Sequence, residues 1–344
     1  MMSWGVLIFL VVIVACAIRL LFGDGVSHVG GNKTTKEHTD KDRAKVGATA
    51  FAVSAFRAIE SVRTDRPPLF IDPVSVALFS YLSSSPLSLK TKLFFKGAEW
   101  MYWGAMSTWL PVPFSWIQFT RIVKLVDLLA LRTRFIDDHV IEPHKRNDIN
   151  QLVIMGAGLD ARGYRLNKFK GKIFEVDFAG MLKKKDKIFT KIGFPKPDNV
   201  CHVGTDFSLP TPIWDKDLES QGFDATQPSI WILEGLTSYL HPPELTSLFS
   251  TLSSCSAPGS KMVVTWIGIG EKKTDFAPTA KIDMHCFFLD NPDSLSRFSP
   301  LVEEWELDKG VSIGEVKEMY YEKDWKCGTT NDDRSYWFTC ATRK

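Results

Sequence analysis

Apolar and polar positions follow three rhythms along the chain. The first is an unbroken apolar run, Trp4 to Phe22, in which Arg19 is the only charge. As a helix rising ~1.5 Å per residue it would reach ~28 Å, the thickness of a bilayer core. No basic residue precedes the run, and the small-residue triplet Ala15-Cys16-Ala17 lies inside it. An uncleaved anchor therefore fits better than a removed signal peptide. Arg19, Lys33, Lys36, Lys41, Arg43 and Lys45 lie toward its C-terminal side, which predicts a single-pass membrane protein with its large C-terminal part in the cytoplasm. The polar stretch from Gly23 to Lys45 reads as a tether.

The second rhythm has helical spacing. Ala48 to Glu60 carries it, Arg66-Pro67-Pro68 breaks it, and Asp72-Pro73 opens a second short helix to about Leu82. Lys90 to Asp138 is apolar and aromatic, broken by Pro111 and Pro113, and is helical again from Phe119 to His139. The third rhythm begins after Asn150. Short β-type runs at Leu152–Met155, Lys172–Val176, Val200–Val203, Ser229–Leu233, Lys261–Trp266 and Tyr336–Ala341 alternate with helical stretches at Ala179–Ile192, Ile213–Gln221 and Pro243–Ser254. Such alternation predicts an α/β fold with a doubly wound, mostly parallel sheet. The expected layout is an anchor at 1–23, a tether at 24–46, a helical cap at 47–150 over the carboxyl edge of the sheet, and an α/β domain at 151–344.

Composition narrows the partners. Apolar residues at 44% and charged residues at 24% are ordinary for a globular chain, and a net charge of +2 gives no reason to expect nucleic acid. Eleven Trp and twenty-four Phe hint at a pocket for an apolar molecule. None of the six cysteines forms a C-x-x-C pair, and no metal-ligand or Ser-His-Asp spacing stands out, so no metal is expected.

The chemistry gathers at the ends of the predicted strands. Gly156 and Gly158 turn the chain after the first strand, where glycine permits close approach of a ligand. The third glycine of a dinucleotide fingerprint is missing, because Ala161 stands there. This argues against a nicotinamide-dependent oxidoreductase and for an adenosyl ligand without pyrophosphate. Glu175 and Asp177 end the second strand on one face, and Asp177, nearer the edge, is the better partner for ribose hydroxyls. Asp206 and Phe207 follow the third strand, suited either to an adenine or to a turn. Glu234 follows an apolar strand and needs a cationic partner, which a ligand could supply.

GAGLDARGYRL, FEVD and LEGLTSYL, preceded by TAFAVSAFRAIES, LFIDPVSVALF and LRTRFIDD, resemble the leucine carboxyl methyltransferase family over about residues 48–270. The closer likeness is to its bacterial-type O-methyltransferase branch. The resemblance implies a Rossmann-like class I methyltransferase using S-adenosyl-L-methionine. It implies that Arg132 holds the methionine carboxylate, that Gly156 and Gly158 pass under the cofactor, that Asp177 takes the ribose and that Asp206 and Phe207 frame the adenine. Glu234 would face the amino-acid end, and Tyr239 would line the reaction side. Thr49 stands where protein-modifying members carry lysine, so a small apolar or membrane-associated carboxyl or hydroxyl acceptor is expected rather than a protein. The runners-up are a protein carboxyl methyltransferase and an idle binding protein that kept the fold.

Three groups stay open. His139, His144, His202, His241 and His285 are the available bases, with His202 reading as a satisfied core residue. Arg162 and Arg165 suit either acids of the fold or a substrate carboxylate. The tryptophan-rich stretch from Trp100 to Trp116 suits a cap core, a lid or a membrane-lying surface.

Overall fold

The computed structural model describes residues 49–63, 66–84, 115–209, 213–267, 301–308, 310–321 and 336–344. By its contacts the chain divides into two compact units, with the described residues up to Leu129 in one and those from Ala130 in the other.

The first unit is helical. A helix covers residues 49–62, a second Pro73–Ser84, and the long helix Ser115–Asn147 begins here. Asp72 starts the second helix: its Oδ1 accepts the Ser75 N–H at 2.9 Å, ahead of a proline whose missing N–H costs nothing in a first turn. Six buried charges link these helices. Arg57 lies 3.3 Å from Asp72, Arg63 bonds Glu60 at 2.8 Å and Asp127 at 2.9 Å, and Arg66 bonds Glu60 at 2.8 Å. Three guanidinium groups thus face three carboxylates, the only arrangement in which so many buried charges are tolerable.

The second unit is built on one sheet of order β3-β2-β1-β4-β5-β8-β6. Its strands are β1 (Gln151–Met155), β2 (Lys172–Asp177), β3 (Val200–Gly204), β4 (Ile230–Leu233), β5 (Lys261–Ile267), β6 (Trp305–Leu307), β7 (Val311–Ser312) and β8 (Tyr336–Arg343). The first five are parallel, in the order of a Rossmann-type sheet. β8 inserts antiparallel between β5 and β6, and β7 pairs with β8. β1 and β4 are buried along their whole length, the mark of strands covered on both faces. On one face Phe174, Val176, Trp231, Leu233 and Val264 pack with Trp214 and Leu218 of the helix Trp214–Ser220 and with Leu248 and Phe249 of the helix Pro242–Ser254. On the other face Phe135, from the later part of the long helix, meets Phe338 of β8 with ring centroids 4.6 Å apart. The helix Ala179–Lys191 delivers Lys185 to Glu175 there at 2.6 Å.

The doubly wound, mostly parallel α/β sheet expected from the sequence is present, but the transmembrane helix in that expectation is corrected. Among the described residues no helix is long and apolar enough to cross a membrane. The run from Trp4 to Phe22, the tether after it and most of the tryptophan-rich stretch lie outside the described residues, as does His285. β6, β7 and the helix Ile313–Tyr320 are additions the sequence reading did not foresee.

Candidate active site

The turn after β1 is fixed by the neighbouring strand. The N–H groups of Gly156 and Ala157 both donate to the Val176 carbonyl, at 2.8 and 3.1 Å. Gly156 has φ +69°, and a Cβ there would come within 3.2 Å of Leu236 Cδ1, so only glycine meets both demands. Gly158 donates its N–H to Asp177 Oδ2 at 2.6 Å, and Phe178 donates to Oδ1 at 2.6 Å. Burial pushes the Asp177 carboxyl above its usual range, while these two amides pull it back. Each oxygen keeps a second lone pair, so Asp177 can accept further hydroxyl donors.

Beside this turn lies a buried ionic cluster. Arg162, fully buried, donates from Nε to Asp137 Oδ1 at 2.8 Å and from Nη1 to Glu234 Oε2 at 2.5 Å. Its Nη1 also pairs closely with Asp160, whose Oδ1 accepts the Arg162 backbone N–H at 2.7 Å. Arg165 forks onto Asp137 at 2.6 and 2.9 Å. Arg132 pairs with Glu234 Oε1 at 2.7 Å and donates to the Tyr336 hydroxyl at 3.1 Å. Burial by itself would lower the Arg162 pKa, but the carboxylates of Asp160, Glu234 and Asp137 raise it well above its ordinary value. Three arginines face three acids, so the cluster is neutral. Among the described residues, the buried Arg132 Nε and Arg162 Nη2 have no hydrogen-bond partner. An unmade bond at such a group is costly, which makes both atoms candidates for a ligand's acceptor oxygens.

Residues 50–253 match the family model described as leucine carboxyl methyltransferase. A protein from Streptomyces coelicolor that carries the provisional name S-adenosyl-L-methionine-dependent methyltransferase is 32% identical over 225 residues, covering 65% of this chain and 67% of that one. A similarly named protein from Mycobacterium marinum is 34% identical over 234 residues, covering 66% and 70%. A crystal structure of a provisionally named methyltransferase from Thermobifida fusca covers 82% of this chain and 100% of its own at 13% identity, with a TM-score of 0.49. The chain belongs to the leucine carboxyl methyltransferase family. It is an S-adenosylmethionine-dependent methyltransferase.

The methyltransferase has the donor set that S-adenosylmethionine calls for. A zwitterionic amino-acid end needs guanidinium donors, a ribose needs a carboxylate, and the backbone between them must be free of side chains. Arg132, Asp177 and the Gly156–Gly158 turn have the chemistry to meet these needs. Of the residues singled out from sequence, Arg132 and Glu234 meet in one ion pair, and Gly158 and Asp177 in one hydrogen bond. Glu234 does not wait for a cation from a ligand, because Arg132 and Arg162 of the methyltransferase already hold its two oxygens. Asp206 folds back on its own turn, its Oδ1 accepting from Ser208 N at 3.0 Å and Ser208 Oγ at 2.6 Å. Phe207 is 8% exposed and belongs to the apolar core. Tyr239 is half-buried in the short 3-10 turn Thr237–Tyr239.

Glu175, the rival of Asp177, is committed elsewhere. It is fully buried against Lys185, with His202 Nε2 3.1 Å from the same oxygen. Among the other histidines, His139 Nδ1 bonds the Phe135 carbonyl at 2.8 Å and His144 Nδ1 that of Ile149 at 2.9 Å. Asp137, Asp160, Thr265 and Tyr336 were not foreseen as site residues. The acids stood in the recognised LRTRFIDD and GAGLDARGYRL segments, where two arginines so near a buried turn require acidic partners. Nothing in the sequence marks Tyr336 or Thr265.

Proposed function

We propose that this methyltransferase O-methylates a carboxylate on a small apolar molecule. The observation that carries the reading is the neutral cluster of Arg132, Arg162, Arg165, Asp137, Asp160 and Glu234 beside the Gly156–Gly158 turn, with the buried Arg132 Nε and Arg162 Nη2 left for a ligand among the described residues. When bound, S-adenosylmethionine would supply a sulfonium-activated methyl carbon open to in-line attack by an acceptor carboxylate oxygen, with the O–C bond of the ester forming as the C–S bond breaks and the thioether of S-adenosylhomocysteine leaving.

The protein's share is binding, orientation and exclusion of water. Arg132 takes the methionine carboxylate, assisted by charge. Glu234 holds Arg132 on one oxygen and Arg162 on the other and so shapes the amino-acid end. Asp177 accepts the ribose hydroxyls through its remaining lone pairs. Gly156 and Gly158 let the cofactor approach the backbone. Asp206 and Phe207 bound the adenine, with Phe207 anchored in the core. Tyr239 lines the acceptor side. A carboxylate is already ionised near neutral pH and needs no general base. That suits a site where His139, His144 and His202 are all bonded to other groups. The high aromatic content supports an apolar body for the acceptor.

Calorimetric titration with S-adenosylhomocysteine and with NADH tests the cofactor, and methyl transfer from labelled S-adenosylmethionine to a panel of lipid-soluble acids and alcohols tests the acceptor. Transfer to acids as base-labile ester supports the proposal. Transfer to alcohols alone, giving base-stable ethers, overturns the carboxylate assignment.

A further inference from the structure

Tyr336 sits on β8 opposite Ile267, 3% exposed, and 204 residues from the arginine it meets. Its hydroxyl belongs to a chain of hydrogen bonds whose directions are all determined. Arg132 can only donate, and its Nη1 reaches the Tyr336 oxygen at 3.1 Å. Tyr336 donates onward to Thr265 Oγ1 at 3.0 Å. Thr265 Oγ1 also accepts the Gly235 N–H at 2.9 Å, and its own hydrogen goes to the Leu233 carbonyl at 3.3 Å. The Thr265 hydroxyl is thereby saturated, with two lone pairs filled and one proton given. No other direction of donation makes all four bonds at once. The Arg132 guanidinium also lies over the Tyr336 ring, 5.6 Å from its centroid.

Arg132 is thus gripped at two nitrogens. Nη1 is held by Tyr336 and Nη2 by Glu234, and the buried Nε has no hydrogen-bond partner among the described residues. A guanidinium is rigid and planar, so fixing two of its nitrogens fixes the third. The chain also ends on Gly235, next to Glu234, so one network sets both the arginine and the loop carrying its carboxylate.

We propose that Tyr336 is a positioning residue for the methyl donor: through its hydroxyl it sets the plane of Arg132, and so the direction of the Nε–H that receives the amino-acid carboxylate. This rests on the assignment of Arg132 to that carboxylate. Tyr336 does not touch the cofactor itself. Its loss is read in recognition of the amino-acid end, not of the nucleoside.

The test compares two ligands on the full chain. S-adenosylhomocysteine has the carboxylate; 5′-deoxy-5′-methylthioadenosine has the same nucleoside and thioether but no amino acid. Tyr336→Phe keeps the ring and removes only the hydroxyl. It is expected to weaken S-adenosylhomocysteine binding about five- to tenfold, the scale of one hydrogen bond, and to leave methylthioadenosine binding within about twofold. Thr265→Val removes the onward acceptor and is expected to shift the same ratio in the same direction, and it carries the test if Tyr336→Phe folds poorly. Equal weakening of both ligands would mean a structural role and overturn the proposal, as would unchanged binding of both. A wild-type chain that binds methylthioadenosine but gains nothing from the amino-acid end would instead overturn the assignment of Arg132, and the proposal with it.

Discussion

Removing one arginine from the neutral cluster should be among the costly single changes in the α/β unit. Arg162→Met replaces a fully buried guanidinium with an uncharged chain of similar length. Asp137 keeps both bonds from Arg165, and Glu234 keeps Arg132. Asp160 loses most, because its close guanidinium partner is Arg162. Breaking a buried pair by removing one partner costs about 3–5 kcal/mol. For a unit of this size each kcal/mol lowers the melting temperature by roughly 2–4 °C, so a fall on the order of 10 °C is expected. The sign with pH follows from the charge left behind. Burial disfavours the ionised form of a carboxyl that has lost a cationic partner, so Asp160 without Arg162 is better accommodated neutral. That penalty is relieved as pH falls. The gap between wild type and Arg162→Met should therefore narrow from neutral toward acid pH. Adding Asp160→Asn restores neutrality and should recover more than half of the loss. Thermal unfolding followed by circular dichroism across pH reads all three. A variant within about 1 kcal/mol of wild type, below the usual cost of an unpaired buried charge, would refute the reasoning, and so would a gap that ignores pH.

Three further outcomes are expected. Arg132→Ala and Asp177→Ala should each weaken S-adenosylhomocysteine binding by about 1.5–3 kcal/mol in calorimetry, and unchanged affinity in both would sink the cofactor placement. Cofactor affinity should fall as pH drops through the Asp177 pKa, which burial holds above the usual carboxylate range; the ionised form accepts from both hydroxyls, so Asp177→Asn should flatten that part of the pH profile. Gly171→Ala would put a Cβ 2.0 Å from the Asn150 carbonyl oxygen that receives Lys172 N–H, and should cost about 3 kcal/mol in thermal or urea unfolding.

The sheet was legible because its central strands are buried on both faces and bounded by turn residues. The runs at Lys172 and Lys261 begin where β2 and β5 begin, and the others fall within a residue or two of their observed ends. β6 and β7 escaped notice at three and two residues, too short to show a period. The helix Ile313–Tyr320 did leave a signal: Ser312 caps it and Glu315 reaches back to the Ser312 N–H at 2.8 Å, the S-x-x-E pattern of a capping box. At the site, Gly156, Gly158 and Asp177 could be read locally, since a turn and a strand end suffice to place them. The partners of Glu234 could not. Its need for a cation was visible, but which arginine would answer depended on β1, β4 and the long helix meeting in space. Tyr336 is the extreme case, because only the antiparallel register of β5 and β8 brings it diagonally across from Thr265.

β8 follows every other described strand in sequence, yet it lies inside the sheet. A chain emerging from the ribosome must hold β1 to β5 with a seven-residue edge, Lys261–Ile267, open to pairing with any passing strand. Closing that edge and delivering the Tyr336 hydroxyl to Arg132 are the same event. Before β8 seats, Arg132 lacks its Tyr336 acceptor, so the proposed grip on the methyl donor is incomplete for as long as that edge stays open.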